Sequence, residues 1–226
     1  MTNISGGTAG PTGDDAYADV NIGFTFNYLG INYSQARINT NGWISLNTSG
    51  VADAVDNSDL FTSSLPALAL APWWDDLRAD ATSSISYKTE GVVPNRLFIV
   101  EWKRVLAFYS TGTTARISFQ VKLYETSNVI EFCYGTAEAG NHDISESASI
   151  GIKDATGGSG HFKEATTGST TTGVINLSST SNWPTVNYRF TPPFVTGTFY
   201  NLIENKTNAT LTIQPDIIVN GDLILK

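Results

Sequence analysis

The chain has 226 residues, 13 Lys plus Arg against 21 Asp plus Glu, a formal net charge of −8 and 41% hydrophobic residues, enough apolar material for one large or two small domains. Without a Lys/Arg cluster it has no electrostatic footprint for phosphate backbones or anionic lipid, so nucleic acid is not an expected partner. Its one cysteine, Cys133, excludes an internal disulfide, and with only two His it excludes soft-ligand zinc and iron–sulfur clusters at familiar spacings.

No apolar run reaches the roughly 20 residues needed to cross a bilayer, and the opening MTNISGGTAG has neither the basic nor the apolar region of an export signal. With 20 Gly and 15% charged residues, the composition is that of an all-β extracellular module. The expected setting is extracellular or cell-surface, with no membrane insertion, the signal peptide absent from this sequence and Met1 then an expression start.

In chain order, a first strand is predicted over 20–26. Gln35–Thr40 and Trp43–Leu46 flank Asn41-Gly42, a pair suited to positive φ and hence to a tight turn or bulge. Residues 47–72 read as a long irregular stretch, followed by strands over 85–89 and Asn95–Lys103; the latter is dense enough in apolar residues for a central strand covered on both faces. Arg116–Leu123 alternates strictly, which puts all its apolar side chains on one face. The turn-formers Glu125–Asn128 then lead into Val129–Tyr134, an antiparallel hairpin. A strand over 148–152 precedes a second long loop, 153–182, rich in Gly, Ser and Thr, and a strand over 186–190 follows it. No window carries a sustained 3.6-residue stripe with caps, so helices are expected to be short and few.

Pro192-Pro193 marks the expected boundary: a β-sandwich module over 1–194, then a C-terminal β segment over 195–226 with strands at 198–203, 209–213 and 217–225. These short apolar units separated by Asn, Gly and Asp turns resemble the opening rungs of a β-solenoid, the start of a longer repeat region in a larger protein, or an exchange strand. The expected fold is all-β, an antiparallel two-sheet, jelly-roll-like β-sandwich followed by a short β-solenoid-like or extended C-terminal segment.

Several motifs occur in one order: Ile38–Leu46 (INTNGWISL), Ala71–Leu77 (APWWDDL), Pro94–Leu97 leading into Val100–Lys103, Phe119–Glu125, Val129–Gly135, Ser149–Gly151 and Phe190–Pro193. The series, spanning roughly 20–193, resembles the N-terminal β-sandwich module of large secreted Bacteroidota surface proteins exported by the type IX secretion system. In order and spacing it is also similar to the nidogen-type extracellular domain of animal adhesion proteins. The resemblance implies a non-catalytic extracellular module of adhesins, gliding or matrix proteins; it supplies no ligand-binding residues to carry over, and the usual C-terminal sorting domain is not in this sequence.

Trp73, Trp74, Asp75 and Asp76 are the candidate ligand site: adjacent aromatics beside adjacent carboxylates suit a sugar ring and its hydroxyls, or a hard cation. Trp183 is a further platform candidate. Neighbouring side chains in a strand face opposite ways, so packing competes with that role. Asp53, Asp56 and Asp59 fall in one loop and are the candidate calcium ligands, although their spacing is not that of an EF-hand loop; Asp14-Asp15 is a smaller acidic pair. Two of Glu101, Glu125 and Glu131 meeting across a cleft would suit a glycosidase, but each alternates with apolar neighbours, as outward salt-bridging residues do. His142, His161 and Cys133 have no nucleophile-elbow or paired context, so no enzyme is expected.

The function expected from the sequence is a non-catalytic structural or adhesion module of a bacterial cell-surface or filament protein, making contacts with other surface proteins or glycans through loops 47–72 and 153–182. The alternatives are a lectin-like carbohydrate-binding module, with calcium the candidate cofactor, and a filament subunit that self-assembles by strand exchange.

Overall fold

In the computed structural model of the chain, residues 1–50, 54, 57, 65–107, 114–156, 162–165 and 173–192 are described, together with the strands at 198–199, 202–204, 218–219 and 223–225. The chain divides into two compact units, Met1–Thr191 and Pro192–Lys226. No helix occurs among the described residues.

The first unit contains β1 (Thr8–Ala9), β2 (Gly13–Asp14), β3 (Tyr17–Tyr28), β4 (Ile31–Asn39), β5 (Ile44–Ser45), β6 (Ala69–Trp74), β7 (Arg78–Ala79) and β8 (Ser84–Glu90). After these come β9 (Leu97–Leu106), β10 (Arg116–Tyr124), β11 (Ile130–Glu138), β12 (Ser145–Lys153), β13 (Phe162–Glu164), β14 (Gly173–Asn176) and β15 (Tyr188–Phe190). One sheet runs β1-β8-β9-β10-β11-β15, with β7 joining β9 and β2 joining β7; the other runs β13-β12-β6-β5-β4-β3, with β14 also on β12. Every pairing recorded in this unit is antiparallel.

The alternation read from the sequence is what joins the layers. Val20, Ile22, Phe24, Phe26 and Tyr28 of β3 are buried while their neighbours are not. They enter one core with Phe98, Val100 and Trp102 of β9, Ile117, Phe119, Val121 and Leu123 of β10, and Ile130, Phe132 and Tyr134 of β11. The result is two antiparallel sheets packed face to face. Burial of these aromatic and branched side chains, each worth about 1.5–3 kcal/mol, is the main stabilising term.

Two irregularities position the functional candidates. In β6, three steps from Ala71 to Trp74 oppose two steps from Gly151 to Ser149 on β12, a bulge where Pro72 cannot serve an unbroken ladder. Its carbonyl instead accepts the Tyr134 hydroxyl from the facing sheet at 2.7 Å. Around β10, Ile117 faces Val105 and Ala137, whereas Phe119 faces Trp102 and Tyr134. The extra residue therefore lies on β9 and on β11, side by side across Ser118, whose hydroxyl accepts the Arg104 N–H at 3.1 Å; Arg104 has φ +56°.

The structure revises the two long irregular stretches. The first ends in β6, which begins at Ala69, and the second holds β13 and β14, which pair with opposite ends of β12. Residues 51–53, 55–56, 58–64, 157–161 and 166–172 of these stretches lie outside the described residues. The C-terminal unit contains β16 (Thr198–Phe199), β17 (Leu202–Glu204), β18 (Ile218–Val219) and β19 (Leu223–Leu225). Here pairing is parallel: Thr198 lies opposite Ile218 and Leu202 opposite Leu223, offsets of 20 and 21 residues, as between successive turns of a solenoid. The strand expected at 209–213 falls outside the described residues.

At the edge of the first sheet, the Arg116 guanidinium donates to both oxygens of Asp80, at 3.1 and 2.7 Å. Arg116, then the Thr82 N–H and the Thr82 and Ser83 hydroxyls, hold the Asp80 carboxyl well below the usual carboxylate range, against the opposing effect of burial. Stability from this depressed pKa is present above the unfolded value near pH 3.9 and is lost as pH falls through the folded value. Urea midpoints are expected to drop steeply below about pH 4. Asp80→Asn should flatten that limb and cost on the order of 2 kcal/mol at neutral pH; an unchanged limb in the variant would contradict the assignment.

Candidate functional site

The Asn-Gly turn and the Trp-Trp-Asp-Asp motif meet at one rim of the sandwich. Gly42 has φ +77°, and a Cβ there would sit 1.8 Å from the Trp73 carbonyl oxygen, so the two segments approach to a distance that glycine permits. The Trp73 and Asp75 N–H groups donate to the carbonyls of Gly42 and Asn41 at 3.3 and 3.4 Å. Asn41, fully buried, works in two directions: its Oδ1 accepts the Leu77 N–H at 3.1 Å and its Nδ2 donates to Asp15 Oδ1 at 2.8 Å. Thr40 completes the clasp, donating its N–H to the Ala16 carbonyl at 2.9 Å and accepting the Ala16 N–H on Oγ1 at 3.0 Å.

The Trp73–Asp76 motif is divided among three environments. Because of the Pro72 bulge, Trp73 turns into the core between the sheets, and Trp74 faces the other way. Trp74 is still 0% exposed, because Trp43, Ala54, Leu65, Ala69 and Ala71 form a second apolar cluster with it on the outer face of the β6 sheet. The indole N–H groups of Trp43 and Trp74 both donate to the Ala54 carbonyl, at 3.1 and 3.3 Å. Trp183 packs on Trp73 with ring centroids 4.6 Å apart, meets Tyr134 edge-on at 5.5 Å, and donates its indole N–H to the Gly135 carbonyl at 2.9 Å. The platform role expected of Trp73 and Trp74 needs open ring faces, and these rings have none; Trp183 is half-buried as a lid on the same aromatic cluster.

Asp75 is 6% exposed, and its Oδ1 accepts the Asp76 N–H at 2.9 Å. Asp76 reaches the rim, where its carboxylate joins those of Asp14 and Asp15, with oxygens all within 4.8 Å of one another. The β2–β7 pairing, with Asp14 opposite Arg78, brings these acids together. Burial, then the neighbouring Asp15 charge, pushes the Asp14 carboxyl up, and Arg78 partly offsets this. Among the described residues, this is the cluster of three carboxylates close enough to share one hard cation. Three carboxylates are about half of the six to eight ligands calcium takes, and the Asn41 oxygen beside them is already held by Leu77.

The calcium candidates Asp53, Asp56 and Asp59 lie outside the described residues. Each of the three glutamates is engaged by another group. Glu125 is held by Arg96 at 2.9 Å and Glu131 accepts the Tyr124 hydroxyl at 2.7 Å. Glu101 departs from the expected exposed, salt-bridging role: it is 1% exposed, because the N-terminal residues lie over it and the Ile4 N–H donates to its Oε1 at 3.1 Å. Cys133 is buried on β11, and burial raises its thiol pKa. Sequence reading missed Asn41 as an organising residue. The available signal was an amide immediately before a glycine that must take positive φ.

The fold and this rim define a two-sheet β-sandwich module whose aromatic motif is committed to packing and whose acidic cluster lies at one rim. Residues 1–192 match the family described as NIDO related, and the chain belongs to this nidogen-related family of extracellular-type domains. No curated protein and no solved structure gives a significant match.

Proposed function

We propose that the chain is a non-catalytic extracellular adhesion module that makes contacts through one rigid end of the sandwich. The observation that carries this reading is a set of exposed apolar side chains on turns bonded to one another. Leu29 and Ile31 on the β3–β4 turn are 60% and 58% exposed, and Val92 and Val93 on the β8–β9 turn are 77% and 68% exposed. The Asn27 N–H donates to Asn128 Oδ1 at 2.9 Å, Thr126 Oγ1 donates to the Pro94 carbonyl at 2.6 Å, and Arg96 Nη1 donates to the Gly23 carbonyl at 2.7 Å. Leu29 also sits at φ +53°, where Asn, Asp or Gly is the usual residue. An exposed leucine at that position breaks the local rule, as functional positions do. Apolar groups held still before binding lose little entropy on contact.

Secretion as part of a type IX–exported surface protein is the finer reading, supported by the motif series across 20–193. The test uses beads carrying the full chain, flowed over glycoprotein- and polysaccharide-coated surfaces. Leu29→Asp with Val93→Asp is expected to leave the melting transition unchanged and cut bead retention severalfold. Equal retention, or turnover of chromogenic glycoside, ester or peptide substrates at enzyme-like rates, would overturn the reading.

A further inference from the structure

Away from that end, the outer face of the first sheet buries a row of polar side chains. Ser86, Glu101, Gln120 and Cys133 stand at one level across β8, β9, β10 and β11. Glu101 is 1% exposed, Gln120 0% and Cys133 2%. Residues 1–10 run over this row and are held almost entirely by their main chain. Gln120 Nε2 donates to the Thr2 carbonyl at 2.8 Å, and Glu101 Oε1 accepts the Ile4 N–H at 3.1 Å and Gln120 Nε2 at 2.7 Å. Lys88 Nζ donates to the Ser5 carbonyl at 3.1 Å. Beyond it, β1 pairs with the β8 edge, and the Gly10 N–H donates to the Ile85 carbonyl at 2.8 Å.

Two positions give this track a shape. A Cβ on Gly135 would lie 2.6 Å from Met1 Cε and 3.2 Å from the Ser118 carbonyl oxygen, so a bulky side chain there would stand in the path of the segment. A Cβ on Gly7 would meet Ile4 Cγ2 at 2.8 Å and the Tyr87 carbonyl oxygen at 3.2 Å, so a larger residue there would crowd the segment against β8. Of residues 1–10, all but Ile4 and Gly10 remain exposed; the segment lies on the surface and is not part of the core.

The fit leaves two groups unanswered. Gln120 Oε1 is buried with no hydrogen-bond partner, and among the described residues no Lys or Arg lies in ion-pair range of the Glu101 carboxylate. Both are costly states for buried polar groups. A strip that served only as cover would meet a nonpolar face or satisfy it fully.

We infer that this face is an acceptor site for an extended peptide, and that residues 1–10 occupy it in cis. The trans ligand is a glycine-containing segment of a partner protein that lies along the same track. It places a cationic group by Glu101 and supplies one more N–H to Gln120 Oε1. Side chains of the sheet bind the main chain of the segment that crosses it, and the β8 edge pairs with its end; the absence of a side chain at Gly135 leaves the track open. The tethered occupant competes at high effective concentration, so binding in trans is weak until the tether is loosened.

The test uses the full chain with Gly7→Val, which crowds Ile4 and the Tyr87 carbonyl and loosens the occupant, and Gly10→Val, which crowds the Ile85 main chain, as a second opening variant. The probes are labelled MTNISGGTAG and its analogue with lysine in place of Asn3, read by fluorescence anisotropy. Alkylation of Cys133 reports opening. Both variants are expected to keep a melting transition, alkylate at least tenfold faster than the parent, and bind the peptides at least tenfold more tightly. The lysine analogue should bind severalfold tighter than the parent peptide, and Glu101→Gln should remove that preference. Failure of both peptides to bind either folded variant, or binding unaffected by an added Gly135→Leu, would overturn the site. Equal affinity for the two peptides would overturn its cationic specificity.

Discussion

Gly42→Ala is expected to remove the folded state under ordinary conditions, or to lower its stability by about 4 kcal/mol or more, the range of exceptional single substitutions. The cause is geometric: the methyl group would stand 1.8 Å from the Trp73 carbonyl oxygen, at a backbone conformation with φ +77° that alanine already disfavours. Relief requires separating the β4–β5 turn from the end of β6, which breaks the Trp73 and Asp75 backbone bonds together. Gly30→Ala is the control. It has φ +85° and open space around it, so only the conformational term applies, about 1 kcal/mol. Urea denaturation followed by tryptophan emission separates the two, since Trp43, Trp73, Trp74 and Trp102 are all fully buried. Equal midpoints for the two variants would contradict the close approach.

The second large effect is expected at Asn41. Asn41→Ala leaves the Leu77 N–H, on a residue with 0% exposure, without its acceptor, at a cost of about 2–3 kcal/mol. Asn41→Asp keeps that acceptor but loses the donor to Asp15 and places a further carboxylate at a rim that already gathers Asp14, Asp15 and Asp76. The new group will have a folded pKa above its unfolded value. Its destabilisation is therefore absent below about pH 4 and grows as pH rises toward the folded pKa. Melting temperatures across pH 4–8 should show Asn41→Asp below Asn41→Ala at neutral pH and recovering on acidification. A pH-independent difference would rule out the charge account.

The all-β character and the two facing layers were legible because β3 and β10 carry an unbroken two-residue alternation and β11 carries one as far as its bulge, and the β4–β5 turn because Asn-Gly is suited to positive φ. β6 was not legible as a strand: ALAPWW has no alternation, contains proline, and is buried on both faces only because Ala54 and Leu65 cover its outer side. The same cover hid the fate of Trp74, since adjacency assigns two tryptophans to opposite faces and says nothing of which face is wet. The acidic corner joins residues about sixty positions apart through a pairing of two-residue strands, too short to leave a periodic signal. The N-terminal segment was invisible because its bonds are nearly all from its main chain, which has no residue signature.

The matched bulges on β9 and β11 restrict how this domain can change by insertion and deletion. The extra residue on each strand absorbs one step of the two-residue alternation, so Val105 and Trp102 on β9, and Ala137 and Tyr134 on β11, all turn toward the core although three positions separate each pair; a single insertion or deletion elsewhere in either strand would turn the side chains beyond it to the outer face. Point replacements can accumulate along these strands one at a time. A change in strand length is tolerated only at the bulges, so variation in chain length among relatives should be confined to those positions and to the connecting loops.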